Sequence, residues 1–215
     1  MLSPSQTTLS ILGGAGKAGR PLVQEALAAG YHVRLLLRDP DAFTLRDTRL
    51  TILQGDARDS NAIPELVAGS QALLSTLGHP KGEPLPITAA VTKAVIAAMQ
   101  AAGLTRYVVV SSLFDTGDEP LDGPTRQAAD YMQEHFPLMM NDRRIEYQLL
   151  RASRLDWTYV RVPRIMPDAS PTGYVVRSGQ LPGQQIAGID LARFLLSALN
   201  SSGYRQQAPF VASRL

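Results

Sequence analysis

Ser10-Ile11-Leu12-Gly13-Gly14-Ala15-Gly16-Lys17-Ala18-Gly19-Arg20 is the stretch on which the fold turns. Before it, Thr8 to Leu12 is a short apolar-rich run that reads as a buried strand. After it, Pro21 to Ala29 carries apolar residues at helical spacing. Strand, glycine-rich turn and helix, in that order, build the phosphate-holding corner of a dinucleotide site. Glycine allows positive φ and a close backbone approach to a pyrophosphate, and the helix's unpaired N–H groups face the anion. A tight turn without a ligand would use the same glycines. The flanking strand and helix favour the ligand.

Working outward, Tyr31 to Leu37 predicts a second strand, ending at Arg38-Asp39-Pro40. A dinucleotide fold places its ribose-reading group about 20 residues beyond the glycines. An acid there accepts from a free 2′-hydroxyl, whereas an arginine pairs with a 2′-phosphate. Arg38 therefore points to NADP, against the competing Asp39 beside it. Leu50 to Gln54 predicts a third strand, and Asp56, just past it, is placed to accept from an adenine amino group. A short helix is expected around Ala62–Val67, with Asp59 or Ser60 as its N-cap. Ala72 to Leu77 predicts a fourth strand closing at Gly78-His79-Pro80, where a glycine leaves backbone room beside a cofactor.

Pro86 to Ala102 reads as a helix stopped by Gly103. Arg106 to Val110 is the most continuously β-branched run and predicts the central strand. It delivers Ser111 and Ser112 to the carboxyl edge, where ligands of open α/β sheets bind. Asp115 to Gly123 is a polar loop, Thr125 to His135 a short helix, and Leu138 to Ser153 a longer one with Ile145, Leu149 and Leu150 facing inward. Trp157 to Arg161 predicts a sixth strand leading to Val162-Pro163-Arg164. Residues 165–188, punctuated by Pro167, Pro171, Gly173, Gly179, Pro182, Gly183 and Gly188, predict an irregular lobe with short strands at Tyr174–Val176 and Gln185–Ala187. Asp190 to Leu199 closes the pattern as a helix, before a strand around Phe210–Ala212. The alternation gives one α/β domain over residues 1–215: a Rossmann-type, doubly wound parallel sheet with a small irregular C-terminal lobe.

The 215 residues are 45% hydrophobic and 19% charged, enough for a substantial core. A net charge of +2, with no run of Lys and Arg among aromatics, argues against nucleic acid. There is no cysteine, which excludes disulfides and thiolate catalysis. His32, His79 and His135 lack metal-ligand spacing, so no metal site is expected. No apolar segment is long enough to span a bilayer and no leader is evident, which predicts a cytoplasmic protein without a membrane partner.

With these pieces in order, the chain resembles the atypical short-chain dehydrogenase/reductase family, in particular its small NAD(P)-binding members grouped with biliverdin-IXβ/flavin reductase and the NmrA-like proteins. Gly13 to Gly19 is similar to their Gly-Ala-Thr-Gly-x-x-Gly, with Gly14 and Ala15 in place of Ala and Thr. The resemblance implies cofactor contacts at Gly13, Ala15, Gly16, Lys17 and Ala18. It also implies an NADP phosphate site at Arg38, an adenine site at Asp56 and Ala57, and a nicotinamide side lined by Leu77, Gly78, Ser111, Ser112 and Pro163. Leu150-Arg-Ala-Ser-Arg-Leu-Asp-Trp-Thr-Tyr-Val-Arg161 and Ile186-Ala-Gly-Ile-Asp-Leu-Ala192 resemble two further family segments.

The departures bear on chemistry. Carbonyl-reducing members use Tyr-x-x-x-Lys, and no tyrosine here is followed four residues later by lysine. Tyr147 and Arg151 have the spacing, but arginine is no substitute for lysine, and the two read as a surface or packing pair. Aligned with the family, Arg143 falls where relatives carry Lys or His, and Met139 where a tyrosine would stand. Ser112 and Arg143 are thus the candidate catalytic residues. The expected function is an NADPH-dependent oxidoreductase passing hydride to a flavin, quinone or similar planar acceptor, with NADPH preferred over NADH. The alternative is a non-catalytic NAD(P)(H)-binding sensor of the NmrA-like type.

Overall fold

Thr8–Leu12 forms β1, and the chain then turns through the glycines into α1 (Gly19–Ala28) and β2 (His32–Leu37). The computed structural model describes residues 3–79 and 86–214. Met1, Leu2 and Pro80, the last residue of the expected Gly78-His79-Pro80 turn, lie outside them. The chain continues through β3 (Leu50–Gln54), α2 (Ala62–Val67), β4 (Ala72–Ser75), α3 (Thr88–Ala101) and β5 (Arg106–Ser111). After α4 (Gly123–His135) and α5 (Pro137–Ala152) come β6 (Asp156–Arg161), β7 (Arg164–Met166), β8 (Tyr174–Arg177), β9 (Gln185–Ala187), α6 (Gly188–Asn200) and β10 (Phe210–Ser213).

The main sheet has the order β3-β2-β1-β4-β5-β6-β10-β8. Strands β1 to β6 pair in parallel, and the order reverses between β1 and β4, which is where such sheets open a ligand crevice. Helices cover both faces, so strand residues of either parity are buried. On one face Leu9, Val108 and Val110 pack with Leu22 and Val23 of α1 and Leu191, Phe194 and Leu195 of α6. On the other, Leu73, Tyr107, Val109 and Tyr159 pack with Ile63 of α2, Val95 and Met99 of α3, and Leu150 of α5.

Four expectations need correction. The sheet is not wholly parallel: β8 runs antiparallel to β10. The lobe after residue 165 is more ordered than its glycines and prolines suggest, because β7 pairs in parallel with β9. Strand β10 meets β6 only at Phe210, opposite Arg161, so the β10–β8 ribbon extends beyond the carboxyl end of β6. On α5, Ile145 is exposed, and the inward face is Met140, Arg143, Glu146, Tyr147 and Leu150. The N-cap of α2 is Asn61 and makes no side-chain cap bond. Asp59 instead accepts from the Asn61 N–H at 2.9 Å.

Candidate functional site

Gly13 sits at φ +76°, and a Cβ there would lie 2.9 Å from the Leu77 nitrogen. A Cβ on Gly14 would run into Leu35 of β2, and one on Gly19 into the Gly13 carbonyl. These three glycines let loop, helix and sheet touch. Thr76 Oγ1 fixes the same corner, bonding the carbonyls of Leu12 and Gly13 at 3.1 Å each. Gly16 differs: Ala15, Gly16 and Lys17 are exposed, and a Cβ on Gly16 would meet only the Gly13 carbonyl, at 3.2 Å. Ala18, the N-cap of α1, is buried, offers no side-chain cap, and no acid occupies the first turn. The helix N-terminus is thus left to an anion arriving over Gly16.

Arg38 is exposed at the end of β2. Its rival Asp39 is turned back onto its own turn, accepting from the Ala42 N–H at 3.3 Å. Asp56 emerges from β3 and is clasped by Arg58, from Nε at 3.1 Å and Nη2 at 2.6 Å. Hydrogen bonds from Arg58, aided by the charges of Arg58 and Arg38, hold the Asp56 carboxyl below its ordinary value. Ala57 packs partly buried against the core beside it.

Along the same edge, Gly78 is exposed and a Cβ there would meet nothing within 4 Å. Ser111 departs from expectation. Its hydroxyl points into the protein and bonds the Tyr159 hydroxyl at 2.9 Å, so its side chain does not face the crevice. Ser112 does not share this bond, and its Oγ is buried with no partner among the described residues. Pro163 is buried where the chain leaves β6.

Arg143 is also more constrained than a reacting group. It is 4% exposed; Nη1 donates to Glu146 Oε2 at 2.7 Å and Nη2 to the Leu77 carbonyl at 3.0 Å. Its Nε, like Ser112 Oγ, is buried without a partner among the described residues. Burial opposes its charge, but Glu146 and Tyr159 outweigh this, and the guanidinium stays protonated. Glu146 accepts in addition from Thr92 Oγ1 and the Tyr159 hydroxyl, each at 2.9 Å. Arg143 therefore holds the Leu77 carbonyl beside Gly78, with both of its Nη atoms committed within the protein.

Sequence reasoning missed Glu146, Thr92 and Tyr159. The available signal was Arg143 and Glu146 at i, i+3 on one helix face. It also missed the anchoring of the Asp115–Asp122 loop. Tyr147, 4% exposed, donates to Asp118, and Arg151 pairs with the same carboxylate at 2.7 Å. Burial and Asp118 push the Tyr147 phenol above its ordinary value, so Tyr147 and Arg151 form a packing arrangement. Fully buried Arg161 stacks 3.6 Å from the Phe210 ring centroid and pairs with Glu119, which also accepts from Ser178 of the lobe.

An exposed loop cradle, an open Gly78 and two orphaned polar atoms on the carboxyl edge fit a dinucleotide across β2, β1, β4 and β5. This is the architecture of a Rossmann-type dinucleotide-binding domain. The NAD(P)H-binding family pattern matches residues 13–202, and the chain belongs to that family. The expected NAD(P)-binding family is thereby borne out. In fold, the chain is similar to a short-chain dehydrogenase/reductase from Veillonella parvula solved with NADP, at 17% identity and a TM-score of 0.76 over 96% of this chain and 94% of that one. It is likewise similar to an anaerobilin reductase from Escherichia coli O157:H7, at 20% identity and a TM-score of 0.78 over 96% and 97%. In sequence it is 26% identical over 206 residues, 92% of the chain, to (4-alkanoyl-5-oxo-2,5-dihydrofuran-3-yl)methyl phosphate reductase of Streptomyces griseus. The chain spans 65% of that relative's length. Among the described residues, no helix is long and apolar enough to cross a membrane.

Proposed function

We propose that this protein is an NADPH-dependent reductase of a flavin, quinone or similar planar small-molecule acceptor. The observation that carries the reading is a pair of buried atoms without partners among the described residues, Ser112 Oγ after β5 and Arg143 Nε of α5, whose guanidinium reaches the Leu77 carbonyl next to Gly78. Buried polar atoms without partners are rare and mark a place for a ligand. Bound NADPH supplies the hydride, and the protein supplies position and orientation.

Gly16, with Ala15, Lys17 and Ala18, leaves room for the pyrophosphate, and Arg38 pairs with the 2′-phosphate. Asp56, kept ionised by Arg58, accepts from the adenine amino group over Ala57. Leu77, Gly78 and Pro163 border the nicotinamide side. Ser112 donates to the nicotinamide amide or to the acceptor. Arg143 fixes the Leu77 carbonyl from behind, and Ser111 contributes through its backbone. Among the described residues no acid–base pair is assembled, which suits an acceptor whose protonation comes from solvent. Two similar proteins, named as reductases of an anaerobilin and of a phosphorylated dihydrofuranone, support reduction of conjugated small molecules.

One observation favours the second reading, a dinucleotide-binding sensor: Tyr147, the tyrosine with a basic residue four positions on, is committed to Asp118. The test is to mix the protein with NADPH and a panel of flavins and quinones and follow nicotinamide absorbance. Acceptor-dependent oxidation is expected. Tight NADPH binding with no acceptor turned over would replace the reductase with the sensor.

A further inference from the structure

The β10–β8 ribbon carries a feature that cofactor binding leaves unused. A cavity of about 340 Å³ opens against it, lined by Val175, Arg177, Gln180, Leu181, Pro182 and Arg214, with Ser213 at its margin. Two arginines line this space, and no carboxylate of the described residues does. Among the described residues the Arg177 guanidinium bonds the Val176 carbonyl, at 3.0 Å, and that of Arg214 lies over Gly173. The nearby acids among the described residues have partners, Asp122 accepting from the Thr125 N–H and from Gln180 of the lining. Asp190 accepts from the Thr172 and Gly173 N–H groups and from Ser213 Oγ, and Glu119 accepts from Arg161 and Ser178.

Elsewhere Arg49, Arg126, Arg151 and Arg193 each face a carboxylate, whereas Arg34 and Arg46 bond backbone carbonyls. Two exposed guanidinium groups on one partly apolar cavity that no carboxylate of the described residues lines make a receptor for a carboxylate or phosphate attached to an apolar body. Its position is fixed by strand register. Ser111 lies opposite Arg161, Arg161 opposite Phe210, and Phe210 opposite Arg177. Arg177 is therefore level with Ser111 on the carboxyl edge, three strand spacings or about 14 Å away. That is the side of Ser112 away from the glycine loop.

We propose that the Arg177–Arg214 cavity docks the anionic group of the acceptor, so that the protein selects anionic planar acceptors over neutral ones with the same ring. The identity of the ligand as an acceptor rests on the reductase reading; the anion site does not. FMN and riboflavin share a ring system and differ by one phosphate. Their binding is measured by flavin fluorescence with NADP⁺ saturating, on the wild type and on the R177Q/R214Q double variant. Both positions are exposed, and a melting curve checks the fold.

The wild type is expected to bind FMN at least tenfold more tightly than riboflavin at low salt. The double variant is expected to lose that preference while holding riboflavin unchanged. Equal binding of the two flavins by the wild type, failure to bind either, or an FMN preference that survives in the variant would overturn the proposal. Anthraquinone-2-carboxylate against anthraquinone separates the sources: discrimination there too assigns a general anion site, and discrimination with FMN alone assigns a phosphate site. Because binding is read without turnover, an FMN preference lost in the variant, in a protein that oxidises no NADPH, would keep the anion site and overturn the reductase.

Discussion

The two halves of the carboxyl edge are built by different means. On the β2-β1-β4 side the surface is made by backbone: Gly13 at positive φ, Gly14 against Leu35, and Gly19 against the Gly13 carbonyl. On the β5-β6-β10-β8 side it is made by side chains that arrive from far apart in the sequence. Thr92, Arg143, Glu146, Tyr159 and Ser111 share one buried network, and Arg161 with Glu119 and Ser178 ties the acidic loop to the lobe. A backbone surface accepts any pyrophosphate and belongs to a cofactor shared by many proteins. A side-chain surface can be re-tuned to one acceptor, and its stability depends on every member being satisfied.

This contrast sets the size of the expected effects. Glu146→Ala should act most strongly, because it leaves the buried Arg143 charge uncompensated. A loss of about 3–5 kcal/mol of stability is expected in denaturant unfolding. A loss below about 1 kcal/mol would mean the network does not hold this half together. Arg38→Ala comes next and should leave the fold intact. NADPH affinity should fall about 10- to 100-fold while NADH affinity stays within about twofold, as expected for one charged hydrogen-bonding group. Equal losses for the two cofactors in parallel titrations would remove Arg38 as the phosphate reader.

The smallest effect concerns acid. Burial pushes Glu119 up, but hydrogen bonds from Ser178 and Arg161 outweigh it, and its carboxyl sits below the ordinary value. A lowered folded pKa contributes stability that is present at neutral pH and is lost as pH falls through the folded value. Wild type should therefore lose melting temperature faster than Glu119→Gln between pH 6 and pH 3, and the two curves should converge. Parallel curves would show that the loop's attachment does not depend on this carboxylate.

The same contrast explains what was legible in the sequence. β1, β3 and α2 fall at their expected bounds, and the glycine corner is where the motif put it, because residue type alone dictates that geometry. Ser111 was misread because both faces of a central strand are buried. Apolarity then says nothing about parity, and Tyr107, Val109 and Ser111 prove to share the face toward α5. Ile145 was misassigned because the inner face of α5 carries Arg143 and Glu146, whose charges mimic a solvated surface. β7, three residues long, has no periodicity to detect, and the reversed direction of β8 is set by its partner, not by its own sequence. The loop anchors at Asp118 and Glu119 join residues about 30 to 60 positions apart, beyond any local pattern.

The central claim is that Gly16 and its neighbours form a dinucleotide cradle out of backbone alone. Calorimetric titration of Gly16→Val with NADPH tests it most directly, since a side chain there enters the cradle while its only close neighbour is the Gly13 carbonyl. NADPH affinity should fall at least 100-fold, with a melting temperature within about 2 °C of wild type. Undiminished NADPH binding by a folded Gly16→Val protein would contradict the account.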